Sequence, residues 1–170
     1  LNLDIGDTRA LFKAGRCGLL VEWGDPGPLP LDDDAAAIKG TLYALSGLGS
    51  REVLDRATGK LVPVTKANAP HSVDGINYAP FAAFGGWAGA VNKGADQKTK
   101  DAAYAFLSYM NQSAQSSVDV TIGATGYNPY RLSQLASPDL FVKAGMPQAL
   151  AENYIGAING ALNSLNMASD

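Results

Sequence analysis

The sequence predicts an α/β fold, because apolar segments with the character of buried strands stand beside segments with helical periodicity. A helix is predicted over residues 7–15 and a strand over 17–23. A second strand is predicted over 88–91, followed by a helix over 97–112. Alternating strands and helices are typical of α/β sheets. The 170 residues suffice for one good hydrophobic core, so a single domain is the first expectation.

The first helix is predicted to be capped by Asp7 or Thr8 and to end at Gly15, with Leu11 and Phe12 buried. The strand after it stops at a run of glycine and proline over residues 24–28, because proline lacks the donor that a sheet needs.

Trp23 and Asp25 are therefore predicted to lie at the carboxyl end of this strand. Ligands collect at that edge in open α/β sheets.

A glycine-rich segment, Phe84-Gly85-Gly86-Trp87, precedes the second predicted strand. Adjacent glycines permit positive φ and the close approach of another surface. The segment is a candidate ligand site, or alternatively a tight strand start with a core tryptophan. Asp96 is predicted to cap the following helix. Its predicted buried face comprises Ala102, Ala103, Phe106, Leu107 and Met110.

For the rest of the chain, the sequence predicts short secondary-structure elements. Residues 51–55 and 60–64 read as a surface hairpin around a loop that contains glycine. A short helix is expected over 113–120 and another from Ser137. Pro147 suits the first position of the last helix. Its predicted buried side is Leu150, Tyr154, Ile155, Ile158, Leu162 and Leu165.

Composition narrows the classes of partner and cofactor. The net charge is −3, the pI is near 5.0 and the basic residues are scattered, so nucleic acid is not an expected partner. The acidic run over residues 32–34 is interpreted as a solvated loop or helix start rather than a cation site. Cys17 and His71 are each the only residue of their type, which argues against an internal disulfide, a metal site or a Cys-His couple. No cofactor is expected.

The sequence offers no positive sign of catalysis. It has neither the dinucleotide fingerprint nor a phosphate-binding loop, and His71 is predicted to be a surface residue. Two of Glu22, Asp25 and Asp74 could still meet in space. Aromatic rings in irregular segments favour sugar binding instead, because rings cover C–H faces while nearby polar groups bind hydroxyls. The rings are Trp23, Trp87, Tyr127 and Tyr130. Each ring taken alone is more typical of the core than of a ligand site, and it is their shared position at strand ends and turns that favours a site.

The order of these parts resembles the family 1 extracellular solute-binding proteins, the receptors of bacterial ABC importers. The resemblance covers nearly the whole chain and is most specific in FGGWAGAVNK (84–93), AAYAFLSYM (102–110) and TGYNPYR (125–131). It implies a periplasmic-binding-protein type II-like fold with two lobes and hinge strands. Residues 1–83 would be a second-lobe segment with a hairpin, 84–123 the hinge strand and first-lobe helices, and 124–170 the return to the second lobe.

The resemblance also implies partners and location. The chain would be the carboxyl-side portion of a receptor and would need the missing first lobe of that receptor. It would bind a sugar, polyol or similar solute without chemistry and deliver it to membrane permease subunits, in the periplasm or outside the cell.

The predicted ligand site combines the resemblance with one residue added on position alone. The resemblance assigns sugar stacking to Trp23, a cleft-lining hinge to Gly85, Gly86 and Trp87, and a cleft loop to residues 127–131. Asp25 is added because it stands beside Trp23. The full prediction is Trp23, Asp25, Gly85, Gly86, Trp87, Tyr127, Asn128 and Arg131. Two alternatives stay open: a carbohydrate-active enzyme using Glu22 or Asp25, or a structural and interaction module with core aromatics.

Overall fold

A computed structural model describes residues 2–82 and 87–169, which mix helices with small sheets in a manner compatible with an α/β fold. The helices are α1 (Ile5–Lys13), α2 (Gln97–Met110), α3 (Ser113–Asp119), α4 (Leu132–Leu135), α5 (Asp139–Lys143) and α6 (Gln148–Leu162). The strands are β1 (Gly49–Ser50), β2 (Glu52–Asp55), β3 (Lys60–Pro63), β4 (Asn77–Tyr78), β5 (Phe81–Ala82) and β6 (Ala168–Ser169). Single 3₁₀ turns lie at Leu29–Leu31 and Gly123–Thr125.

The strands of the described ranges form two-stranded sheets. β1 pairs with β4 and β2 with β3, both antiparallel, and β5 pairs with β6 in parallel. The predicted strands over 17–23 and 88–91 are wrong, since both segments are irregular. A strand needs a hydrogen-bonded neighbour, and no segment between residues 2 and 82 or 87 and 169 provides one for them. Local apolar character was therefore insufficient to specify a sheet.

Helix α1 is capped by Asp4, three residues before Asp7, the earlier of the two predicted caps. Asp4 accepts from the Asp7 backbone N–H at 2.9 Å, and the Asp7 carboxylate accepts from the Asp4 N–H at 3.1 Å, a reciprocal capping box. The predicted end is confirmed: Gly15 has φ +70° and donates to the Phe12 carbonyl at 2.9 Å. Phe12 packs in a buried cluster with Leu29, Ala35 and Ile38, while Leu11 is exposed.

Helix α2 confirms its predicted start but not its predicted burial. Asp96 caps it by accepting from the Thr99 N–H at 3.0 Å. No residue of α2 is buried, and Phe106 of the predicted inner face is largely exposed. Leu107 is half-buried against the backbone of Gly89, where an added Cβ would lie only 2.2 Å from Leu107 Cδ2. One side of α2 therefore covers the 87–91 segment, and a larger residue than glycine at position 89 would require the Leu107 side chain to shift.

Acidification is expected to loosen the first turn of α2. Hydrogen bonds from the side chain and backbone of Thr99 hold the pKa of Asp96 below its ordinary value. A carboxyl whose pKa is lowered by folding stabilises the fold above its ordinary pKa, and this contribution disappears as the pH falls through the lowered value. Protection factors of the amides at 98–100 should therefore fall below about pH 4. Asp96→Asn keeps an acceptor that does not titrate, so its protection should stay flat; an identical acid response in this variant would contradict the prediction.

The predicted hairpin is confirmed. β2 and β3 pair Glu52 with Pro63 and Asp55 with Lys60, and Gly59 closes the loop at φ +68°. The short helix predicted over 113–120 is confirmed as α3, and α6 begins directly after Pro147. The expected burial of Leu162 and Leu165 is wrong, since both are exposed.

The chain forms two compact units. The first comprises Leu1–Tyr43 and Gly86–Asn153, and the second comprises Ala44–Gly85 and Tyr154–Asp170. Buried residues of the first unit include Val120, Phe141 and Met146. These boundaries differ from the lobe segments 1–83, 84–123 and 124–170, whose assignment to receptor lobes stays a prediction.

Candidate functional site

The candidate site in the first unit is built around Arg9, whose guanidinium binds two carboxylates. Arg9 Nε lies 3.1 Å from Glu22 Oε2, and Nη1 lies 2.8 Å from Asp25 Oδ2. Burial lowers the pKa of Arg9, but the hydrogen bond to Glu22 and the charge of Asp25 more than offset this, so the pKa lies above its ordinary value. Helix α1 thus fixes both acidic residues that flank Trp23 in the sequence.

Asp25 is the most deeply buried of the three, with 4% of its side chain exposed. Its Oδ2 accepts no aligned hydrogen bond, so its contact with Arg9 is a charge–charge interaction at close range. Gly126 lies beside it: an added Cβ there would stand 3.7 Å from Oδ2. Gly126 also has φ +69°, a conformation that favours glycine.

The same segment meets the 123–131 loop at a second point. An added Cβ on Gly123 would lie 3.0 Å from the backbone nitrogen and Cα of Leu29. The structure therefore brings Asp25 and the tyrosine-containing loop together, two parts of the predicted site that are about a hundred residues apart in the chain.

Trp23 is held by its acidic neighbour rather than by a strand. Its backbone N–H donates to Glu22 Oε1 at 3.3 Å, while Glu22 Oε2 accepts from Arg9. The side chain is 49% exposed. The predicted place at a strand end is wrong, but Trp23 is still substantially exposed, and a hydrogen bond anchors its backbone N–H.

Arg131 ties its loop to α3 and to the end of α2. Its Nε donates to Ser116 Oγ at 3.0 Å, and Nη2 donates to the Asn111 carbonyl. The guanidinium stands 5.3 Å from the centre of the Tyr130 ring, within range of a cation–π interaction. Arg131 thus has a structural task that the sequence did not predict, and its contact with a ligand stays a prediction.

The other predicted site residues differ in their surroundings. Tyr127 is half-buried, and Asn128 is exposed. Trp87 is 86% exposed and lies in an irregular segment, so the alternative of a core tryptophan is wrong for this residue. Gly85 and Gly86 lie outside the described residues.

No group of three or more His, Cys, Asp or Glu side chains within 2–82 and 87–169 could hold a metal ion. In the acidic run, Lys13 Nζ lies 2.7 Å from Asp34 and 3.5 Å from Asp32. His71 is exposed as predicted. None of the described helices has both the length and the apolar character to cross a bilayer.

No protein-family model matches the chain, and no curated protein or solved structure matches it. The site therefore has to be judged on its own geometry. The sequence prediction missed Arg9, because an arginine inside a helix gives no local sign of its partners. Only the fold shows that two carboxylates three residues apart share it.

Proposed function

We propose that this chain is part of a solute-binding receptor that captures a sugar, polyol or similar small solute for an ABC importer. The main support is the half-exposed Trp23, which stands in the chain between the Arg9-bound residues Glu22 and Asp25. The Asp25 carboxylate in turn lies beside Gly126 of the tyrosine-containing loop. The receptor resemblance of the sequence supports the same function.

The geometry suits binding better than chemistry. Stacking on a sugar needs an aromatic face in a fixed position, because a ring that is already ordered loses little entropy when the ligand arrives. Arg9 contacts oxygens of both Glu22 and Asp25, so these carboxylates help to hold the backbone around Trp23 in place. Neither stands as a solvent-facing acid or base, so the enzymatic alternative gains no support from the site.

The proposal includes partners and a location. The solute would be passed to membrane permease subunits in the periplasm or outside the cell, and the first lobe of the receptor would close over it. Closure of two lobes on a ligand is a common hinge mechanism. No cofactor has a part in it.

The two tryptophans of the chain make a direct test possible. Trp87→Phe leaves Trp23 as the sole indole emitter, and titration with neutral mono- and disaccharides and polyols should produce a saturable change in its fluorescence. Trp23→Phe should abolish that change at the site while leaving the emission of Trp87.

Affinity gives the size of the effect. By calorimetry, Trp23→Ala should weaken binding of the responding sugar by about 1–3 kcal/mol, the scale for loss of a stacked aromatic. Tyr104→Ala removes another exposed aromatic of the same unit and should leave affinity unchanged. If Trp23→Ala lowers the melting temperature but not the affinity, Trp23 is a structural residue and the site assignment fails.

A further inference from the structure

The second unit contains a cleft that none of the predicted site residues lines. It has a volume of about 500 Å³ and is open to solvent. We call it the Lys66 cleft; its polar lining includes Ser46, Lys66, His71, Tyr78, Ser164 and Asn166. All of these residues belong to the second unit.

One wall of the Lys66 cleft is a loop that its own hydrogen bonds hold in shape. Lys66 Nζ donates to the carbonyls of Pro70, at 3.3 Å, and of Ser72, at 2.5 Å, which are the residues on either side of His71. Asn68 closes the same loop by accepting from the Thr65 N–H at 2.8 Å. The ammonium is therefore held against the backbone on both sides of His71, and both residues line the cleft.

A second wall of the Lys66 cleft is tied to strand β4. Asn166 Nδ2 donates to Asn77 Oδ1 at 3.1 Å and to the Tyr78 carbonyl at 2.8 Å. The Asn166 N–H donates to Ser164 Oγ at 3.2 Å. This wall thus presents hydroxyl and amide groups at positions that the backbone fixes.

The charge of the Lys66 cleft is opposite to that of the chain. The chain has a net charge of −3, yet no Asp or Glu is among the described residues that line the cleft. Two of the three N–H groups of the Lys66 ammonium bind carbonyls, and its positive charge remains uncompensated by an ion pair in the described residues. The rest of the lining supplies hydroxyls, an amide and a phenol, together with the apolar residues Pro70, Val73 and Leu165.

We infer that the Lys66 cleft binds a small hydroxylated carboxylate, with the carboxylate at Lys66 and His71 and the hydroxyls at the other polar groups of the lining. A charge-assisted hydrogen bond to an ammonium is stronger than one between neutral groups. The Lys66 cleft shares no residue with the Trp23 site, so ligand binding at the cleft can be tested independently of the proposed solute-receptor function.

Gluconate and sorbitol provide matched probes, because they carry the same carbon chain and differ at the carboxylate. The single histidine gives one set of imidazole NMR signals, which report directly on the cleft. At pH 7.5 and constant ionic strength, sodium gluconate should shift the His71 ring signals along a saturable curve. Sorbitol and sodium chloride should produce no saturable shift; an equal response to sorbitol would overturn the inference.

Two variants test the charge. Leu165→Glu places a carboxylate on a 78% exposed lining position, where folding should tolerate it, and should weaken gluconate binding at least tenfold. Leu132→Glu makes the same change at an 87% exposed position of the first unit and should have no effect. Lys66→Met should also weaken binding at least tenfold. The inference fails if Leu132→Glu weakens binding as much as Leu165→Glu, or if neither cleft variant weakens it.

Discussion

Replacing Arg9 by methionine is expected to destabilise the first unit by about 3–5 kcal/mol, the scale for removing one partner of a buried ion pair. Two carboxylates would then lose their cation: Asp25, which is buried, and Glu22, which is partly buried. The cost comes from two uncompensated charges more than from lost packing, because the methionine fills most of the same space. Urea unfolding followed by far-ultraviolet circular dichroism would measure it.

A second substitution is expected to restore stability to the Arg9→Met protein. In the Arg9→Met background, Asp25→Asn removes one of the stranded charges and should recover a large part of the lost stability. Arg16→Met, an exposed arginine just beyond α1, should change stability by less than about 0.5 kcal/mol. If Asp25→Asn makes the Arg9→Met protein less stable still, the interpretation as an ion pair is wrong.

Replacing Phe141 by alanine is expected to lower the free energy of unfolding by about 3–5 kcal/mol, the usual range for a fully buried aromatic. Phe141 lies on α5 with no exposed surface. The loss combines the transfer of a phenyl ring to water with the cavity that neighbouring side chains fail to fill. Equilibrium unfolding in urea gives the change directly.

A matched control separates core packing from hydrophobicity as such. Leu132→Ala removes a large apolar side chain from neighbouring helix α4, but this side chain is 87% exposed. Its effect should stay within about 0.5 kcal/mol. Comparable losses in both variants would mean that Phe141 does not serve as a core residue.

The site could be predicted only in part. Asp25 and the 123–131 loop do come together, and Trp23 is presented to solvent, although no strand carries it. The task of Arg131 in joining its loop to Ser116 and Asn111 was missed, as was the Lys66 cleft. Each of these depends on partners far away in the chain, and sequence spacing gives no information about such partners.

Short-range sequence patterns are enough to specify the local elements whose hydrogen bonds close within a few residues. The Asp96 cap, the Gly15 helix end and the hairpin that turns at Gly59 all follow from such short-range bonds. The irregular backbone of residues 17–23 and 88–91 and the pairing of Arg9 with Glu22 and Asp25 depend instead on the folded arrangement of the chain. A strand and an ion pair both need a partner from elsewhere in the chain, and the chain's path through space selects that partner.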